Sequence, residues 1–436
     1  MNVKSANLTL RNKFLKYVSL NILGMLGLSC YILADTVFIA RGVGSNGLTA
    51  LNLALPAYSF VYGVGRMIGI GSATRFSLSK PKDIFSLAVI LDVFSAVIFV
   101  LIGIFASGFV ARLLGANGET ITDTAIYLKV ILIFSPMFML NNLLSSFVRN
   151  DNNPKLSMIA MITGSLSNVV LDYIFIFPFG MGMFGAALAT GASPVISLII
   201  LSAHFVKKKN TFRFVKIRPS FDKIKDVCSL GVFTLISELS SGIVIIVFNM
   251  LILKLAGNIG VAAYGVVANI ALVGISIFNG VGEGMQPIVS DEYGKGKVKE
   301  VGALLRYGFI TALSLAIIFY GINFLFANGI VDTFNKDNSL ILQKLAIKGV
   351  KTYFLGFFFL GLNVISAGFF SAIGNSKNSF LISILRGFVI IIPMAIILAN
   401  VFAMDGIWFT LLVTESIVFI VSVILIVRTR KKVINL

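Results

Sequence analysis

Long apolar runs, interrupted at intervals by short clusters of glycine, proline and charge, make up most of the chain. With those clusters taken as boundaries, six helical runs fall near 14–40, 48–74, 84–110, 123–147, 156–179 and 183–206. Six more follow near 228–256, 260–288, 303–329, 347–372, 380–402 and 406–427. A helix needs about 20 apolar residues to cross a bilayer, and each run meets that length. The pattern therefore predicts an all-α integral membrane protein of twelve transmembrane helices. Between the sixth and seventh runs lies KKKNTFRFVKIRPSFDKIKD, the most polar stretch of the sequence, which reads as a linker. The expected organisation is a six-helix lobe over 1–206, a basic linker over 207–227 and a second six-helix lobe over 228–436.

The two sets of six resemble one another. A shift of 213 positions aligns Ile39 with Ile252, Gly44 with Gly257, Ala50 with Ala263, Gly69 with Gly282, Gly71 with Gly284 and Ser77 with Ser290. Further along, a shift of 223 brings Phe147 onto Phe370 and Asn152 onto Asn375, so that FVRNDNNPK and FSAIGNSK end the fourth run of each set. These identities predict two pseudo-symmetric bundles, an arrangement common among transporters.

Composition narrows the function. Of 436 residues, 57% are hydrophobic and 12% charged, with a mean hydropathy of +0.97, more apolar surface than a soluble chain of this length could hide. The formal net charge of +18 would point to nucleic acid in a soluble protein. Here the basic residues follow the membrane instead. With a cytoplasmic N-terminus, 26 of the 36 fall in cytoplasmic segments and eight in external ones, leaving Arg66 and Arg386 inside runs. Both termini are then expected in the cytoplasm, in a multi-pass protein of the plasma membrane that binds no nucleic acid. Lys4, Arg11, Lys13 and Lys16 precede the first run as in a secretion signal, but that run continues to Ala40 and reads as a retained helix. Cys30 and Cys228 are expected to be buried free thiols.

The candidate chemistry lies in acids within the runs: Asp35, Asp92, Asp172, Glu238, Glu283 and Glu415. A charge at the bilayer centre costs about 2.5–3.5 kcal/mol by insertion scales, so such groups tend to face a cavity and serve function. Asp35 stands deep in the first run. Asn168 and Asp172, four residues apart, share one helix face and can converge on one ion or proton. Glu238 offers a carboxylate to the second lobe, whereas Asp92, Glu283 and Glu415, nearer run ends or beside glycine, read as water-accessible structural groups. Arg66 is a candidate counter-ion for a buried acid. His204, beside the basic linker, is expected to be solvated. A single histidine, two separated cysteines and the lack of HExxH or CxxC spacing leave no basis for a transition-metal site or a cofactor, and no Ser, His and Asp set suggests an enzyme. Gly65 with Gly69, and Gly280 with Gly284, are small-residue pairs suited to close helix packing, and Pro56, Pro136, Pro194, Pro287 and Pro393 are expected to bend helices.

Three segments carry a family resemblance: YILADTVFIARGVGSNGLTALNLALP, FVRNDNNPK and SNVVLDYIFIFPFGMGMFGAALAT. Over nearly its whole length the chain resembles the multidrug and toxic compound extrusion (MATE) transporters. The resemblance implies two six-helix bundles around a central cleft, exchanging an inward H+ or Na+ for an outward amphipathic, often cationic compound, in a chain that acts as a monomer in the lipid bilayer. It implies a cation or proton site at Asp35, Asn168, Asp172 and Thr190, and matches Glu238 to a seventh-helix acid. The tenth run, YFLGFFFLGLNVISAGFF, lacks the aspartate used by some members.

Two other readings compete. A lipid-linked saccharide flippase of the same superfamily would line its cleft with Arg or Lys for a diphosphate, but the first six runs offer Arg66 alone against three acids. A membrane-embedded lipid-modifying enzyme would need clustered acids for metal and phosphate, and no DDxxD-like cluster occurs.

Overall fold

The computed structural model describes residues 3–335 and 339–434, with side chains for 9–335 and 339–430. The terminal residues, on which the expectation of cytoplasmic ends bears, lie outside the described residues. Among the described residues there is no strand, and helices follow one another with short connections. They are α1 Val3–Gly42, α2 Ser45–Ser79, α3 Ile84–Leu113, α4 Ile121–Ile133, α5 Ser135–Asn150, α6 Pro154–Ile176 and α7 Gly182–Val206. After the linker come α8 Phe221–Gly294, α9 Val298–Leu325, α10 Ala327–Phe334, α11 Leu340–Tyr353, α12 Phe357–Ala372, α13 Ser376–Ile384 and α14 Ile391–Ile434.

Among the described residues nine helical stretches are long and apolar enough to cross a membrane, or ten when α4 and α5 count as one span bent by 46°. Pro136 stands in the first turn of α5, where its ring and missing N–H prevent α4 from continuing straight. The two longest helices are α8, with 74 residues, and α14, with 44. The 74 residues of α8 would extend about 110 Å as one rod, at 1.5 Å per residue, against a hydrocarbon core of about 30 Å. Each of these two contains one non-helical residue, Gly257 (φ 60°, ψ −158°) in α8 and Ala403 (φ 49°, ψ −130°) in α14. Gly44, between α1 and α2, has nearly the backbone of Gly257 (φ 93°, ψ −168°), a region open to glycine and closed to other residues. These are the two glycines that the sequence sets 213 residues apart.

The chain forms two compact units: the first is Ser19–Leu239, and the second joins the chain up to Val18 to everything from Ser240 onwards. Thus α1 begins in the second unit and continues into the first, while α8 begins in the first and continues into the second.

Inside the first unit, small residues set the spacing of the helices. Gly65 and Gly69 of α2 lie against Met139 and Asn142 of α5, so close that a Cβ on either would stand 3.0 Å from its neighbour's backbone. The start of α8 is held more tightly still. A Cβ on Gly71 would meet the Val227 carbonyl oxygen at 2.1 Å, and one on Gly231 the Met67 carbonyl oxygen at 1.9 Å. Ion pairs flank this seam: Arg66 with Glu238, Arg75 with Asp226 at 3.0 Å, and Asp83 with Lys223. The hydrogen bond from Lys223 holds the Asp83 carboxyl below its ordinary range, against a small opposing effect of burial.

The linker is pinned to this unit by packing the sequence did not reveal. Phe212 enters an aromatic cluster of Phe76, Phe85, Phe147 and Phe205, with ring centroids 4.6 Å apart for Phe85 and Phe212. Asp151 accepts hydrogen bonds from the Thr211 N–H (2.7 Å), the Thr211 hydroxyl and His204 Nε2 (3.0 Å). His204 is therefore not solvated as expected. It is 1% exposed, bonded on its other nitrogen by Asn153 (3.2 Å) and stacked on Phe212. FVRNDNNPK is the source of these ties: Asn150 bonds the Ala73 carbonyl of α2, Arg149 bonds Asn21 of α1, and the Asn153 side chain caps α6. The cysteine expectation fails too, since both thiols are free but Cys30 is exposed and Cys228 half-buried.

The second unit is built around Phe278, Phe319, Phe354 and Phe357, and around Trp408, whose ring leaves no room for a Cβ on Gly349. Phe14 of α1 packs on Tyr307 of α9 within this unit.

Candidate functional site

The first unit gathers Asp35, Asn168, Asp172 and Thr190 at one buried locus. Small residues again permit it. Gly24 and Gly27 bring α1 onto Met161 and Ile162 of α6, and Gly164 brings α6 onto Ser197 of α7, whose hydroxyl donates to the Ala160 carbonyl (2.9 Å). With α6 and α7 closed together, the face that carries Asn168 and Asp172 meets Thr190. Oriented to satisfy both ends of its amide, Asn168 donates to Asp172 Oδ2 (3.0 Å) and accepts from the Thr190 N–H (3.3 Å).

From α1, the Asp35 carboxyl reaches the same place and stands beside that of Asp172. Asp35 is 6% exposed and Asp172 fully buried, and one oxygen of each, Oδ1, has no hydrogen-bond partner among the described residues. Neither carboxyl is in an ion pair among the described residues. The locus thus presents oxygen atoms from two carboxyls, an amide and a hydroxyl, a donor set suited to a proton or a hard monovalent cation and unsuited to soft metals. Among the described residues no three His, Cys, Asp or Glu side chains come together as a metal cluster.

Tyrosines that the sequence reading did not single out complete the surroundings. Tyr31 lies one turn before Asp35 on α1, and its hydroxyl meets that of Tyr58 at 3.2 Å. Tyr127 of α4 stands beside Thr190. Tyr58 stacks on Tyr62, and Tyr62 lies beneath the Arg66 guanidinium at 5.8 Å. The spacing 58, 62, 66 is one helix face, a signal present in the sequence but indistinguishable there from ordinary packing.

The remaining acids divide. Glu238, expected to serve the second lobe, belongs to the first unit and is bound to Arg66. Glu415, expected near water, is 2% exposed and paired with Arg386 in the second unit. Asp92 is fully buried in α3 with neither oxygen partnered among the described residues, so it too departs from the water-accessible reading.

Apolar helices long enough to cross a membrane, with an oxygen-rich locus buried among them, place the chain with the membrane transporters. The family model MatE matches residues 21–174 and 232–397, and the chain belongs to that family, the MATE transporters. The multidrug export protein MepA of Staphylococcus saprophyticus is 26% identical over 411 residues, covering 92% of this chain and 90% of that protein. Among solved structures, an outward-facing multidrug resistance MATE family transporter of the MOP superfamily superposes with a TM-score of 0.88 at 23% identity, covering 97% of this chain and 96% of that one. A MOP superfamily transporter from Pyrococcus furiosus, described as having a binding pocket of reversed polarity and a different function, superposes with a TM-score of 0.87 at 23% identity over 97% and 96%. Those two likenesses establish the fold.

Proposed function

We propose that this protein is a cation-coupled antiporter that exports amphipathic, often cationic small molecules by alternating access, and that Asp35, Asn168, Asp172 and Thr190 bind the coupling H+ or Na+. The carrying observation is the pair of neighbouring carboxyls, buried together, each with an unpartnered oxygen and neither in an ion pair among the described residues. An arginine there would have satisfied the site permanently; its lack leaves charge for a mobile cation to balance. The multidrug export activity named for MepA supports the cargo class. Exchange of one proton for one monovalent cation moves no net charge, so a pH gradient alone would drive it, whereas a different ratio would also draw on the membrane potential, about 2.3 kcal/mol per charge per 100 mV.

In the same reading α8 is two crossings divided at Gly257, and α13 and α14 make two more divided at Ala403. With α4 and α5 as one bent span, this gives twelve crossings in two pseudo-symmetric sets of six, the 1–206 and 228–436 lobes joined by 207–227. The paired glycine junctions at Gly44 and Gly257 support the repeat. The positive-inside pattern supports cytoplasmic termini. The flippase reading gains nothing, since Arg66, the basic group that would meet a diphosphate, is bound to Glu238.

Proteoliposomes carrying a fluorescent cationic dye, with pH or Na+ gradients imposed separately, test this. One gradient should drive dye movement in the unaltered protein, and Asp35→Asn or Asp172→Asn should abolish it with expression intact. Dye movement at undiminished rates in Asp35→Asn would remove that residue from the mechanism.

A further inference from the structure

Within the second unit, α12, α13 and α14 enclose a polar cluster in an otherwise apolar core. Arg386 donates to Glu415 Oε1 from both Nε (3.2 Å) and Nη2 (2.8 Å). Asn363 donates to Glu415 Oε2 and to the Glu415 backbone carbonyl, each at 2.8 Å, and its own amide oxygen accepts from Ser422 (2.9 Å). Asn363 and Ser422 are fully buried. Arg386 reaches in from a single π turn over Leu385–Val389, where the Ile390 N–H bonds the Leu385 carbonyl five residues back. A π turn inserts one residue into the helical register, and such turns are frequent at functional sites. The guanidinium side chain is 16% exposed against 3% for the carboxylate it neutralises, so it enters the pocket from its open side.

The two halves differ in how they balance a buried carboxylate. Under the shifts that relate the repeats, 213 for the first helix and 223 later, Asp35 falls on Phe248 and Asp172 on Ala395, both fully buried. At these aligned positions the second half therefore has no counterpart of the neighbouring carboxyls. Glu415 stands elsewhere in that half, and both of its carboxylate oxygens are already met.

We propose that Arg386 is a tethered cation filling the Glu415, Asn363 and Ser422 pocket, so that the second unit neutralises its buried carboxylate without taking up an ion. The ion exchanged in each cycle then binds in the first unit alone, a conclusion that rests on the site assigned above to Asp35 and Asp172.

The test uses purified full-length protein in lipid nanodiscs, and reads the displacement of the thermal unfolding midpoint by Na+ against choline and by pH. The paired variant Arg386→Met with Glu415→Gln, which leaves no buried charge, should keep the whole ion response of the unaltered protein; Asp35→Asn with Asp172→Asn should lose it. Adding Arg386→Ala to that second background uncovers Glu415, and an ion response should reappear, or millimolar guanidinium should raise the midpoint. An ion response halved or lost in the paired variant would overturn the proposal. So would an Arg386→Ala protein that folds yet responds to neither Na+, protons nor guanidinium. Should Arg386→Ala fail to fold, the paired variant decides by itself, because removal of both partners of a buried ion pair is tolerated where removal of one is not. A response retained in both the paired variant and the double aspartate variant would sink the first-unit ion site and leave Arg386 as the internal cation.

Discussion

At the level of single residues, two buried carboxyls that look alike in sequence have opposite circumstances. Asp172 has Asn168, Asp35 and Thr190 within reach, while Asp92 has no partner for either oxygen among the described residues. A buried polar group without a partner costs roughly 1–3 kcal/mol on the scale of mutational data. Asp92→Leu should therefore raise the unfolding midpoint in detergent and leave transport intact; a lowered midpoint would mean that Asp92 holds something in place. The cation-site candidates were legible for a physical reason. An intramembrane acid is expensive and so conspicuous, and the spacing of Asn168 and Asp172 fixes a common face. Thr190 came only through family resemblance, because a hydroxyl in a membrane helix is inexpensive and common. Partners were hidden altogether: Arg66 with Glu238 and Arg386 with Glu415 are separated by 172 and 29 residues, and the sequence holds no rule that joins them. His204 was misread for a related reason, since Phe212 and Thr211 cover it by folding back from the linker.

Among the helices, close approach through glycine decides where the carboxyls stand. Gly231 has the Met67 carbonyl oxygen where a Cβ would need to be, whereas Gly108 of α3 has nothing within 4 Å. Gly231→Ala should lower stability by about 1–3 kcal/mol through overpacking. Gly108→Ala should hold or raise it by up to about 1 kcal/mol, since alanine restricts the unfolded chain and favours helix. Midpoints from thermal unfolding distinguish the two, and equal effects would contradict the packing account. Ala403 offers the opposite case, a residue with a side chain in backbone space suited to glycine. Ala403→Gly should relieve strain of about 1–3 kcal/mol and raise the midpoint; a fall would mean that the break in α14 is not strained. Helix existence was legible throughout from apolar run length, and the Gly44 and Gly257 junctions from the repeat. The ends were less so. The seventh run was expected to begin at 228, yet α8 begins at Phe221, because polar residues of the linker continue the helix before it reaches the apolar region.

For the molecule as a whole, the division into units does not follow the linker. The start of α8 belongs to the first unit and the start of α1 to the second, a crossing over that hydropathy does not record, because it reports how apolar a segment is and not which helices the segment packs against. One consequence concerns Glu238: numbered with the second set of helices, it is physically a first-unit residue, and the first unit then holds both the unpartnered carboxyl pair and an acid neutralised by arginine. In the proposed mechanism Asp35 and Asp172 are the pair that exchanges a cation for a cargo, whereas Glu415 is held by Arg386 and Asp92 stands alone. The most direct test is ion release from purified protein on addition of a cationic substrate, followed with a pH indicator in weakly buffered solution and a Na+ electrode in parallel. The unaltered protein should release H+ or Na+ as the substrate binds, and Asp35→Asn with Asp172→Asn should bind substrate and release none. Equal release from the double variant would contradict the account.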